Sequence, residues 1–166
     1  MARRYEDWLA QARCDLRAAK DRLETGQYEW SAFQAQQGAE KVLKARLRYD
    51  DLEPTGHTLL HLLREVETFL EVPRVYQERA RELDRHYLQP RCPNSFAAGY
   101  PAEFYDEATA RRCAEYAGQF IAFVEESISW VSSLWIGPAV QGEGARVGVS
   151  ADIALRLGGQ AGVHPA

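Results

Sequence analysis

The chain has 166 residues, 46% hydrophobic and 27% charged, which fits one globular domain and excludes a disordered or fibrous chain. A formal net charge of −4 excludes a global positive field that would recruit nucleic acid, so any nucleotide contact must come from a local cluster. No apolar run reaches the roughly 18 residues that span a bilayer, and residues 1–8 lack the apolar core of a secretion signal, so a cytoplasmic location is expected. Cys14, Cys92 and Cys113 are odd in number and far apart, a pattern of buried free thiols rather than of a disulfide framework or a zinc site.

Taken in order, Tyr5, Trp8, Leu9, Ala12, Leu16, Ala19 and Leu23 form an i, i+3/i+4 stripe with no proline, and Gly26 stands where a helix stops. A second helix is predicted over about 28–49, followed by a polar turn at Asp50, Asp51, Pro54 and Gly56. A third runs from about His57 to Leu70 on Leu59, Leu62, Leu63 and Val66, and Pro73 suits the first turn of a fourth. In that fourth helix Tyr76, Ala80, Leu83 and Tyr87 repeat at helical spacing until Pro90 and Pro93 stop it. The longest periodic segment spans about 103–134, with Tyr105, Ala117, Phe120, Ile121, Val124 and Ile128 on its apolar face. No segment alternates with period two for long enough to suggest a sheet. The expected fold is therefore all-α, an up-and-down bundle of four to five helices over residues 1–136. From Gly137 seven of the 12 glycines cluster, with no aromatic residue and no lysine, and an irregular, poorly ordered tail is expected over 137–166.

The second helix holds the most pointed feature. At ~100° per residue, Gln36 and Glu40 fall on the same arc as Phe33, Leu43 and Leu47, beside Ala32 and Ala39. A buried amide or carboxylate is costly unless partnered, so this face asks its neighbours for hydrogen bonds unless the pair stays wet at the rim. Glu40 and Lys44 also form a favourable i, i+4 pair, worth a few tenths of a kcal/mol.

Other polar residues offer weaker signals. His57 and His61, with Glu65 beyond them, have metal-ligand spacing but lack the glutamate of HExxH; no metal or cofactor is expected. The fourth helix carries Arg74, Arg79, Arg81 and Arg85, interleaved with Glu78, Glu82 and Asp84, which reads either as a salt-bridged solvated face or as a phosphate-binding cluster. Arg91 is sharper, because Pro90 and Pro93 restrain the backbone that aims it. Arg81 and His86 form an RxxxxH pair, in which the imidazole would serve as general acid or base and the guanidinium would hold the phosphate. On a straight helix residues five apart diverge by ~140°, whereas Arg79 and His86, seven apart, would share a face.

Together these pieces resemble the HEPN domain family, in particular its small stand-alone prokaryotic members. Residues 36–45, Gln36-Gln37 through Glu40-Lys41 to Lys44-Ala45, are similar to the family's QQAxEKxLKA signature. His57, Leu59, Leu62 and Leu63 follow its HxLxxLL segment, and Leu83-Asp84 through Tyr87 to Arg91 and Pro93 resemble its LDxYYxxxRYPD stretch. Tyr105 and the alanine-rich helix after it match its last element. Cys92, Asn94 and His86 depart from the pattern, standing where the family has tyrosine, aspartate and tyrosine.

The resemblance, which covers about residues 4–130, implies a helical bundle that is often a homodimer with a nucleotide- or RNA-related site. It also implies a minimal nucleotidyltransferase partner in a two-component or toxin–antitoxin-like system. In the leading expectation Arg91 contacts phosphate, Gln37, Lys41 and Lys44 line the polar side of the second helix, and Gln36, Glu40 and His57 serve as polar anchors toward the fourth helix or the Arg91 loop. The alternative is a metal-independent endoribonuclease using Arg79 or Arg81 with His86, and a third reading is a non-catalytic dimerisation module.

Overall fold

The computed structural model describes residues 4–134; the tail expected from Gly137 onward lies outside the described residues. Within them are five α-helices: α1 (Tyr5–Glu24), α2 (Tyr28–Tyr49), α3 (Leu59–Val66), α4 (Val75–Asp84) and α5 (Glu107–Leu134), with three single 3-10 turns between α4 and α5. There is no strand among the described residues, so the all-α expectation holds.

Cross-helix pairs fix the directions. Ser31 Oγ donates to the Ala19 carbonyl, Lys44 lies over Trp8 and the Tyr5 and Tyr49 rings meet edge to face, so α1 and α2 run antiparallel about the tight turn at Gly26 (φ +72°). Arg13 pairs with Glu125, and Leu16 packs beside Gly118, which sets α5 antiparallel to α1. Glu82 with Arg112 and Tyr76 with Phe120 set α4 antiparallel to α5. The four long elements thus alternate up and down, with α3 a short piece between α2 and α4.

Helix α2 is the axis of the bundle. Ala32, Ala35, Ala39, Val42, Leu43, Ala45 and Leu47 are fully buried in it. Its small residues let α1 come close: a Cβ on Gly38 would sit 3.2 Å from the Ala12 carbonyl oxygen, a tight contact with backbone that leaves no slack between the two helices. Around this axis Leu59, Leu62, Leu63, Tyr76, Leu83, Phe120 and Phe123 complete one continuous core.

The helix limits differ from the periodicity in two instructive places. Helix α4 ends at Asp84 rather than running on to Tyr87. Arg85, His86 and Tyr87 donate their N–H groups to the carbonyls three residues back, so the chain tightens into a 3-10-like turn that turns His86 inward and presents Tyr87 to α2 and α3. The long helix begins at Glu107, because Asp106 Oδ1 accepts the Thr109 N–H at 2.7 Å and opens the helix there.

Candidate functional site

The polar arc of α2 is buried, and it is partnered. Gln36 is fully enclosed and Glu40 is 4% exposed. The Glu40 carboxylate accepts from Lys44 Nζ at 2.8 Å and from His57 Nδ1 at 2.9 Å on one oxygen, and from the Gln36 and Gln37 amides at 3.4 Å on the other. Gln36 also donates to the His57 carbonyl at 3.2 Å, while Gln37 donates to Gln36 Oε1 at 2.8 Å. The anchors expected from the sequence therefore converge, although their target is the strand of backbone entering α3 rather than α4 itself.

That backbone is held from a second side. Thr58, at the N-cap of α3, makes no side-chain cap. Instead the Asp84 carboxylate, at the end of α4, accepts the N–H groups of Leu59 at 2.7 Å and Leu60 at 3.1 Å. An acid at a helix N-terminus satisfies the open donors and opposes the positive end of the helix dipole. Burial raises the Asp84 pKa, and its two N–H donors act in the opposite direction.

His57 links this network to the surface. Its ring stacks on Tyr87, 5.3 Å apart and 12° from parallel. Arg91 lies against the next two faces: its guanidinium carbon is 4.8 Å from the Tyr87 ring and 4.7 Å from the Phe33 ring, and its Nε donates to the Tyr87 carbonyl at 2.9 Å. Trp30 meets Phe33 edge to face at 6.1 Å. The result is a ladder of alternating rings and cation, Trp30–Phe33–Arg91–Tyr87–His57, running from the start of α2 to the start of α3. Arg91 is exposed and pairs with no carboxylate among the described residues. Packed between rings, a guanidinium keeps its edge N–H groups free for an oxyanion and loses little freedom on binding.

The expected basic lining of α2 divides. Lys44 is buried, spent on Glu40, with Trp8 5.7 Å away. Lys41 spans to Asp15 on α1 at 2.5 Å and also donates to Gln37 Oε1 at 3.4 Å. These side chains stiffen the α1–α2 contact beneath the ladder and leave Arg91 as its exposed cation.

The RxxxxH residues are not brought together. Arg81 is exposed on α4, whereas His86 is 6% exposed with Nδ1 on the Tyr105 hydroxyl at 2.8 Å. Burial lowers the His86 pKa, opposed by Glu82, and pushes Tyr105 far above the usual phenol range. Arg79 lies over the Tyr76 and Tyr116 rings at 5.1 and 5.6 Å, on the α5 side of α4. His57 and His61 do not share a ligand set, since His61 pairs with Glu65 at 3.1 Å and His57 with Glu40. Among the described residues no group of three or more His, Cys, Asp or Glu could hold a metal ion. Periodicity alone passes over Asp84, Phe33 and Tyr87 as site residues; the spacing that puts Tyr87 four residues before Arg91 was the available signal.

The sequence profile of the HEPN domain matches residues 5–127. Among solved structures, TT1696 from Thermus thermophilus is 38% identical, covering 74% of this chain and 97% of its own, with a TM-score of 0.73. ST0689, described as an archaeal HEPN homologue, is 34% identical over 75% of this chain and 97% of its own, with a TM-score of 0.65. An HEPN domain protein from Thermotoga maritima is 31% identical over 74% and 98%, with a TM-score of 0.61. A comparison with curated proteins finds no match.

Proposed function

This chain belongs to the HEPN family, and we propose that it is a nucleotide-binding helical module that acts, as a homodimer, with a minimal nucleotidyltransferase partner. The carrying observation is Arg91, a planar cation clamped between Phe33 and Tyr87 with its edge exposed. In this reading Arg91 grips a phosphate group, and the exposed ends of the ladder offer ring faces to a base. Glu40 and its donors do not touch ligand. They hold His57, which holds Tyr87, which holds Arg91. Leu88, Tyr100 and Phe104 are exposed on the segment after α4, with Phe104 stacked on Phe96 at 4.2 Å; this apolar surface close in sequence to Arg91 supports a partner docking beside the site.

Isothermal calorimetry with purified protein and nucleotides, alone and with a nucleotidyltransferase present, tests the proposal. Arg91→Ala is expected to weaken binding about tenfold or more, the effect of losing charge-assisted hydrogen bonds worth about 1.5–3 kcal/mol, with the melting temperature unchanged. Affinity no tighter than millimolar in both arms overturns it. A second reading, metal-independent RNA cleavage by Arg79 or Arg81 with His86, rests on one observation: His86 Nε2 is buried without a hydrogen-bond partner. It requires the imidazole to leave Tyr105 and reach solvent. RNA cleavage in EDTA by the wild type and by His86→Ala decides it, and equal activity, or none in either, removes it.

A further inference from the structure

The seam between α4 and α5 carries charge that the nucleotide reading leaves unused. Val75, Glu78, Arg79 and Glu82 on one side and Arg112 and Tyr116 on the other line an open cleft of about 290 Å³. Glu82 is gripped from two directions: Arg112 reaches one carboxylate oxygen at 3.2 Å and Arg85 the other at 3.2 Å. Arg79 forms no ion pair with a carboxylate among the described residues; its guanidinium carbon lies 5.1 Å from the Tyr76 ring centroid and 5.6 Å from that of Tyr116. His86 Nε2 faces the Glu82 carboxylate from the core side at 4.0 Å, with its side chain 8% exposed. Burial favours the neutral imidazole, and Nδ1 shares one hydrogen bond with the Tyr105 hydroxyl at 2.8 Å. Nε2 is buried with no hydrogen-bond partner. Such a group is costly to leave unmade.

The arrangement is that of an oxyanion site already filled, imperfectly, by the protein's own carboxylate. We propose that the α4–α5 cleft binds a phosphate group, with Arg79 and Arg112 as its guanidinium donors and Glu82 as the resident carboxylate that the phosphate displaces. Arg79 and Arg112 face two acids, Glu78 and Glu82, so the cleft is balanced in charge and gains a net positive charge only where Glu82 turns aside. Guanidinium groups match phosphate geometry in pairs. A tetrahedral anion offers more acceptor oxygens than a carboxylate, enough for both arginines. The site uses no residue of the Arg91 ladder and stands whether or not that ladder binds nucleotide.

The test is calorimetric titration of the full chain with inorganic phosphate and, separately, with a nucleoside monophosphate, at constant ionic strength. Saturable binding of inorganic phosphate is expected, weakened about tenfold by Arg79→Met and by Arg112→Met, and tightened about tenfold by Glu82→Gln, which removes the competing charge. Equal affinity for the two ligands identifies free phosphate as sufficient; tighter binding of the monophosphate identifies the phosphoryl end of a nucleotide, with Tyr116 beside the attached group. Arg112→Lys serves where Arg112→Met fails to fold, since it keeps the charge and loses the fork. A Glu82→Gln protein that melts normally and shows no saturable phosphate binding overturns the proposal. So does phosphate binding unaffected by Arg79→Met and Arg112→Met, or abolished instead by Arg91→Ala.

Discussion

Two of the places where this bundle buries polar groups, around Glu40 and around His86, do so in opposite ways. Around Glu40 the chain closes the account of every donor: lysine, imidazole and two amides meet one carboxylate, and the assembly is continuous with the Arg91 ladder. Around His86 it does not: one ring nitrogen is fixed by Tyr105, and the other is buried 4.0 Å from the nearest acid. Both lie between helices and both contain a histidine. The first is rigid because each group is held from more than one element, as a surface recognition site requires of its support. The second is under-satisfied, and that leaves it responsive to whatever supplies the missing partner.

The sharpest way to break this contrast is to empty the satisfied network. Glu40→Ala leaves the Lys44 ammonium buried at 7% exposure with no anion and frees His57. Breaking a buried pair by removing one partner costs about 3–5 kcal/mol, so urea denaturation should show a loss of that order. Glu40→Gln, which keeps the shape and one acceptor, should lose less. A loss under about 1 kcal/mol for Glu40→Ala, the range of an exposed pair, would show that the Glu40 network is as loose as the His86 one.

Asp84 joins the two regions, since it ends α4 three residues short of Tyr87 and caps the α3 turn that follows His57. Asp84→Ala should cost about 1–2 kcal/mol, the upper range for a lost helix cap, read as a lower urea midpoint with unchanged slope. It should also weaken ligand binding by less than Arg91→Ala, because it loosens the ladder's footing without touching ligand. Asp84→Asn, which keeps an acceptor, should recover most of both.

How far the sequence showed this depended on distance along the chain. Helices α1 and α2 were legible almost to the residue, because their apolar repeats are long and Gly26 separates them. Gln36 and Glu40 could be seen as misplaced in an apolar arc, but their partner His57 is 17 residues from Glu40, and no local period reports such a contact. Arg91 was legible as a restrained cation between prolines; that Phe33 forms one wall of its clamp was not, since 58 positions separate them. The Arg79–His86 spacing shares a face only on a helix that runs through His86, and the chain instead tightens after Asp84 so that His86 reaches Tyr105 across the bundle.

The smallest effect expected is also the one that tests the under-satisfied region directly. His86 has a folded pKa below its ordinary value, chiefly through burial, with Arg112 and Arg85 acting the same way and Glu82 against them. The unfolded chain therefore takes up the proton first. Stability is at its full value above the unfolded imidazole pKa of about 6.5 and falls as pH drops toward the lower folded value, by at most about 1.4 kcal/mol per pH unit. His86→Gln keeps a hydrogen-bonding partner for Tyr105 and removes the titration, so urea midpoints at pH 7.5 and 5.5 should converge in the variant relative to the wild type. If wild type and His86→Gln lose stability equally over that interval, Nε2 is satisfied in solution, and the difference between the two buried histidine sites disappears.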